Sequence, residues 1–125
     1  MADDVVLVVD DNPETLAFLA RALEAEGVQV RTAASVLRAL EALHDGSPRP
    51  SLIVTDLMMP QTTGWDFLKH LRAEEALKSV PIVVITGADV DNSDGLADAV
   101  LQKPFDPVEL ADTVRSLLRS RASAP

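Results

Sequence analysis

Neither cysteine nor tyrosine occurs in the 125 residues, and aromatic side chains make up only 3% of the chain, as three phenylalanines and one tryptophan. The missing cysteine excludes a disulfide framework, a thiolate metal site and a cysteine nucleophile. Basic residues are also scarce: eleven Lys and Arg stand against twenty Asp and Glu, a net charge of −9. Such a chain repels phosphate backbones and anionic lipid, so direct nucleic-acid binding is not expected. Long apolar runs are lacking as well. Val5 to Val9 is among the longest and is far too short to span a bilayer, and the Met-Ala-Asp-Asp start is acidic where a signal peptide is basic. The expectation is a cytoplasmic protein with no membrane partner. What is present is ordinary globular composition, 47% hydrophobic and 25% charged, in a length that suits one domain over residues 1–125. Its core is expected over about 4–119, with a flexible tail from 120 to 125.

Val5-Val6-Leu7-Val8-Val9 is β-branched and continuously apolar, the pattern of a strand buried on both faces of a parallel sheet, and it stops at Asp10-Asp11. Asn12 suits a helix cap and Pro13 a first turn, after which Leu16, Leu19, Ala20 and Leu23 recur at helical spacing up to Gly27. Val28, Val30 and Thr32 read as a second strand, and Ser35 as the cap of a helix carrying Val36, Leu40 and Leu43. Leu52-Ile53-Val54-Thr55 forms a third strand that ends at Asp56, followed by helix near Trp65 to Leu77. A fourth strand, Ile82-Val83-Val84-Ile85, ends at Thr86. The polar stretch up to Gly95 is poor helix material, leaving at most a helical turn over Leu96 to Ala99. A calcium loop is excluded there by register: with Gly95 sixth, the first and twelfth positions are Val90 and Leu101. Val100-Leu101 centres a fifth strand before Lys103-Pro104, and Asp106, Pro107 and Glu109 open a final helix with Leu110, Val114, Leu117 and Leu118 on one face.

Strands alternating with helices in this way predict a doubly wound α/β fold, a parallel sheet with helices on both faces. Such sheets bind ligands beyond the carboxyl ends of their strands. Here those ends carry Asp10, Asp11, Asp56, Thr86 and Lys103. Three converging carboxylates repel one another unless a cation or proton lies among them, and a hard divalent ion with oxygen ligands suits the set. Lys103 adds a point charge and Thr86 a hydroxyl donor, parts suited to phosphoryl transfer, in which a carboxylate can itself be the nucleophile. Each residue taken alone has a plainer explanation: a helix-capping turn for Asp10, Asp11 and Asn12, turn chemistry for Asp56, a strand end for Thr86, a surface lysine for Lys103. Their joint placement favours a site. His44 and His70 fall on predicted helices and are expected as surface residues without a metal partner.

Val-Val-Asp-Asp at the first strand, Asp56-Leu57-Met58-Met59-Pro60 with Gly64 beyond, Ile85-Thr86-Gly87 and Lys103-Pro104-Phe105 occur in order along the chain. Through these segments the sequence resembles the receiver domain of bacterial two-component response regulators over nearly its whole length. The resemblance implies a flavodoxin-like five-stranded sheet of order 2-1-3-4-5. It implies Asp56 as phosphoacceptor from a phosphohistidine, supplied by a sensor histidine kinase or a histidine phosphotransfer protein. It further implies Mg2+, or Mn2+ in its place, held by Asp10 (largely through water), Asp11, Asp56 and the Met58 backbone carbonyl. Lys103 would contact the phosphoryl oxygens, Thr86 would move toward them, Gly87 would keep the approach open, and the Lys103-Pro104 peptide would be cis.

The chain also departs from that family. The position three before the lysine, usually aromatic, is Val100, which cannot make the large swing coupled to the threonine. The interval from Thr86 to Lys103 is short, so the family's fourth helix is expected to be shortened or absent, with a mobile 87–95 loop that orders on phosphorylation. Met58 and Ala88, two residues past Asp56 and Thr86, bear no side chain that orients water by a strong hydrogen bond, which predicts a long-lived phosphoryl group. The expectation is a stand-alone, single-domain response regulator, not a turnover enzyme, that signals to a downstream protein target as a monomer or a phosphorylation-dependent dimer. Two other readings are a phosphorylation-independent adaptor (a pseudo-receiver) and a small aspartyl-phosphate phosphatase.

Overall fold

The computed structural model describes residues 3–57, 64–87 and 95–123. Five strands, β1 (Val5–Val9), β2 (Gln29–Ala33), β3 (Leu52–Asp56), β4 (Ile82–Thr86) and β5 (Ala99–Gln102), form one sheet of order β2-β1-β3-β4-β5, every pairing parallel. The helices are α1 (Pro13–Glu24), α2 (Val36–Leu43), α3 (Gly64–Ala73) and α4 (Pro107–Ser123). The doubly wound architecture and strand order expected from the sequence are those observed.

The continuous apolar runs form the central strands because both faces of the sheet are covered. On one face Leu7, Val9, Ile53, Ile82 and Val84 pack against Phe67, Leu68 and Leu71 of α3 and Ala39 of α2. On the other, Val6, Val8, Leu52, Val54, Val83 and Ile85 meet Leu19 and Leu23 of α1 and Leu110 and Val114 of α4. Each such side chain gains about 1.5–3 kcal/mol on leaving water, an upper figure for a chain already partly collapsed when unfolded. Among the described residues no helix is long and apolar enough to cross a membrane.

Local chemistry sets the ends of the elements. Asn12 Oδ1 accepts from the Glu14 and Thr15 amides (2.9 and 3.1 Å), and Ser35 Oγ accepts from Arg38 (3.1 Å). Gly27, at φ +90°, stops α1 in a conformation that side chains with a Cβ resist. Asp106 Oδ1 caps α4 through the Val108 amide (2.8 Å). That helix continues to Ser123, past the point where a tail was expected, since arginine and alanine sustain a helix well.

Two expectations need correction. Helix α3 ends at Ala73 and does not reach Leu77; the chain turns through residues 74–80, with Leu77 and Lys78 both donating to the Glu74 carbonyl (3.0 and 2.8 Å). Leu77 continued the apolar stripe because it is buried, at 3% exposure, but a turn buries it. Residues 96–98 form no helical turn, and Ala99 already belongs to β5. Asp98 is instead held by Arg72, a residue the sequence did not single out. Arg72 donates to Leu96 O (2.9 Å), Lys78 O (2.9 Å), Val80 O (2.8 Å) and Asp98 Oδ2 (2.8 Å), and that carboxylate also accepts from the Ile82 amide (2.8 Å). One guanidinium thus ties the end of α3 to both flanks of β4, where no helix occurs between β4 and β5 among the described residues. Arg72→Ala should cost about 2–4 kcal/mol, because several carbonyls and a carboxylate lose a charged donor. Urea unfolding will measure it, and Arg72→Lys should recover only part, lacking the planar fork.

Candidate functional site

The register brings the predicted residues to one edge. Val9 pairs with Ala33 and Thr55, Asp56 with Ile85, and Thr86 with Gln102, so Asp10, Asp56, Thr86 and Lys103 all lie at the carboxyl edge of the sheet. Asp10 is 1% exposed, Asp56 6% and Thr86 0%, in a sheet whose other buried side chains are almost all apolar. Lys103 Nζ donates to Asp56 Oδ2 at 2.8 Å and stands 3.6 Å from Asp10 Oδ2. The lysine is placed by its own backbone, whose amide donates to the Thr86 carbonyl at 2.8 Å; the Lys103-Pro104 peptide is cis, as the resemblance implies.

Capping duty is divided in a way the sequence left open. Asn12, not Asp10 or Asp11, caps α1, while Asp10 Oδ1 accepts from the Asn12 amide at 2.9 Å. Asp10 is thereby held buried, while the adjacent Asp11 is exposed. Burial pushes the Asp10 carboxyl above its ordinary range and the charges of Asp56 and Asp11 add to this, while the Asn12 amide and Lys103 act in the opposite sense. Burial pulls the Lys103 ammonium down, but its hydrogen bond to Asp56 and the charges of Asp10 and Asp56 outweigh that and hold it above the usual lysine value.

Two buried carboxylates thus share one ammonium, and a third carboxylate opens to solvent beside them. This all-oxygen, electron-rich set fits a hard divalent cation. The three acidic side chains are not drawn into one tight cluster: among the described residues, the His and carboxylate group whose ligand atoms all lie within 4.8 Å of one another is a different one. A loose array suits Mg2+, which keeps several of its waters and takes only one or two carboxylates directly.

The other predicted positions are distributed as follows. Met58, with its carbonyl, and Ala88 lie outside the described residues, as does nearly all of the 87–95 loop. Gly87 is exposed, and among the described residues a Cβ added there would meet nothing within 4 Å. Val100 is half-buried and packs against the α2 and α3 face of the core, in register with Val84. His44 and His70 are exposed, as expected, and their rings meet edge to face at 6.2 Å. A groove of about 780 Å³, lined by Pro13, Phe18, Arg21, Lys103 and Phe105 among others, opens beside the pocket, with Phe18 set edge-on to Phe105 at 6.0 Å. Phe105 belongs to the Lys-Pro-Phe segment, but that Phe18 faces outward on α1 could not be read from spacing alone.

This chain belongs to the response regulator receiver domain family, which matches residues 6–115. Among its relatives are the response regulator Rre1 of Synechocystis, 39% identical over 99% of this chain and 56% of the relative, and the phosphate regulon transcriptional regulatory protein PhoB of Escherichia coli, 34% identical over 91% and 51%. The chain spans about half the length of these curated relatives. Among solved structures, the chemotaxis protein CheY4 of Vibrio cholerae superposes with a TM-score of 0.82 at 29% identity, covering 92% of this chain and 98% of that one. The response regulator TrrA of Thermotoga maritima, solved in complex with Mg2+-BeF, superposes at 0.81 with 29% identity, covering 91% and 98%.

Proposed function

We propose that this chain is a Mg2+-dependent cytoplasmic phosphoacceptor, taking a phosphoryl group onto Asp56 from a phosphohistidine of a sensor kinase or histidine phosphotransfer protein and signalling through altered protein binding. The observation that carries the reading is the 2.8 Å contact between Lys103 Nζ and the buried Asp56, with Asp10 beside it, at the edge where this fold binds its ligands. Support for the metal comes from the donor set and from the Mg2+-BeF complex of the Thermotoga relative.

Lys103 donates to one oxygen of Asp56, which fixes that side of the buried carboxylate at the sheet edge. In the reaction an Asp56 oxygen bonds to phosphorus as the phosphorus–nitrogen bond of the donor breaks, and the electron pair leaves with the imidazole. Lys103 neutralises charge on the phosphoryl oxygens without any reorganisation of solvent. Asp11, Asp56 and, largely through water, Asp10 would hold Mg2+, which supplies further neutralisation when bound. Thr86, at the end of β4, is the hydroxyl donor nearest in register to Lys103. The groove over Phe18 and Phe105 runs into Lys103 and gives a protein donor its approach.

The test is incubation with phosphoramidate and Mg2+ followed by intact mass measurement. One added phosphoryl group, lost when EDTA is present, is the expected result. No adduct points to a phosphorylation-independent adaptor, and steady phosphate release with little adduct points to a phosphatase.

A further inference from the structure

At the opposite edge of the sheet, where α2 and α3 end, a second cluster of ligating side chains forms. His44 is the C-cap of α2, His70 lies in the last turn of α3, and Glu74 begins the turns that follow. His44 Nε2 lies 2.7 Å from Glu74 Oε1, and His70 Nε2 lies 3.7 Å from Glu74 Oε2. One ligand atom from each residue falls within 4.8 Å of the other two. The sequence contains two histidines, and the fold brings both here from positions far apart in the chain.

The hydrogen bonding of this cluster is incomplete without a cation. His44 Nδ1 is 2.7 Å from the Leu40 carbonyl, which only accepts, so Nδ1 carries the hydrogen. Nε2 then faces Glu74 Oε1, also an acceptor when ionised, and a bare lone pair there would repel it. Either a second proton or a metal ion must lie between them. The Glu74 carboxylate first, then the Leu40 carbonyl, holds the His44 imidazole above its ordinary value. A proton serves only that contact. Glu74 Oε2 is shielded from solvent and accepts no hydrogen bond among the described residues, and His70 Nε2 is too distant to give one.

We propose that His44, His70 and Glu74 form a binding site for a borderline divalent transition metal of the Zn2+ class, independent of the acidic pocket. Two imidazoles and one carboxylate match that class and not Mg2+, which prefers oxygen alone. Tetrahedral bonds of roughly 2.0–2.1 Å set neighbouring ligand atoms about 3.3 Å apart. The three ligand atoms, one from each residue and all within 4.8 Å of one another, have to draw together to reach it. With half-exposed rings, the fourth position is left to water. The Leu40 carbonyl on His44 Nδ1 is the outer partner that metal-bound histidines commonly have, fixing the ring and the tautomer. A bound ion would join the ends of α2 and α3 across a gap that no covalent link spans.

The test is calorimetric titration of the untagged protein with ZnCl2 in excess Mg2+, so that the acidic pocket holds its hard cation. Ring signals of the two histidines are followed by NMR in parallel. The expected result is one Zn2+ per chain, with both histidine signals shifting together. Affinity should fall at least about tenfold in His70→Ala and in Glu74→Gln, the latter keeping the side chain's shape. Formation of the phosphoramidate adduct should be unchanged in both variants. Absence of Zn2+ binding, binding undiminished in the two variants, or titration that leaves the histidine signals in place would overturn the proposal.

Discussion

Lys103→Met is expected to slow phosphorylation by phosphoramidate by about 10²–10³-fold, the loss typical of removing one fixed charge-stabilising group from a transfer site. The same variant should bind Mg2+ more tightly than the wild type. Both effects follow from one geometry: the ammonium lies 2.8 Å from Asp56 Oδ2 and 3.6 Å from Asp10 Oδ2. In the resting protein it would compete with a metal for those oxygens, while during transfer it would meet the phosphoryl oxygens that the carboxylates cannot. Methionine keeps much of the stem's volume and removes only the charge. A simple packing defect would weaken metal binding and phosphorylation together, so opposite signs separate the two explanations. Stopped-flow phosphorylation and Mg2+ titration by Trp65 fluorescence give the two numbers. Trp65 suits this use because it is the sole tryptophan and packs against the core at the start of α3.

Asp56→Asn should abolish the adduct altogether. An amide is no nucleophile toward phosphorus at neutral pH, and no nearby carboxylate occupies the same place: Asp10 is buried at 1% exposure and tied to the Asn12 amide, while Asp11 is exposed. The variant should fold, since asparagine is nearly isosteric and can still accept from Lys103. Intact mass spectrometry after incubation with phosphoramidate and Mg2+ measures the loss, and residual adduct of wild-type stoichiometry would place the acceptor elsewhere.

The acidic pocket could be read from the sequence because its parts sit at the ends of strands whose apolar runs are unmistakable. Val6–Val9, Leu52–Thr55 and Ile82–Ile85 are buried, so each run stops where the sheet edge begins, and the next residue is at the carboxyl edge. Boundaries failed where burial and helicity part company. Leu77 is buried by a turn, and Asp98 is drawn to Arg72 and the Ile82 amide in place of a helical turn. Arg72 itself gave no signal, because its partners lie on two separate segments and two are backbone carbonyls of the turns after α3. The histidine pair was equally hidden. His70 and Glu74 have helical spacing, but Glu74 lies just beyond α3, and His44 reaches it only because α2 and α3 end at the same edge of the sheet. Local periodicity reports which face a residue occupies, and not which distant residue shares that face.

The most direct measurement of the central claim locates the phosphoryl group chemically. After phosphorylation with Mg2+ present, borohydride reduces an acyl phosphate to the alcohol, leaving homoserine at the modified aspartate for peptide mass spectrometry to find. The account predicts homoserine at position 56 and intact aspartate at positions 10 and 11. Homoserine at either of those positions, or none anywhere in a protein that had gained the phosphoryl mass, would contradict it.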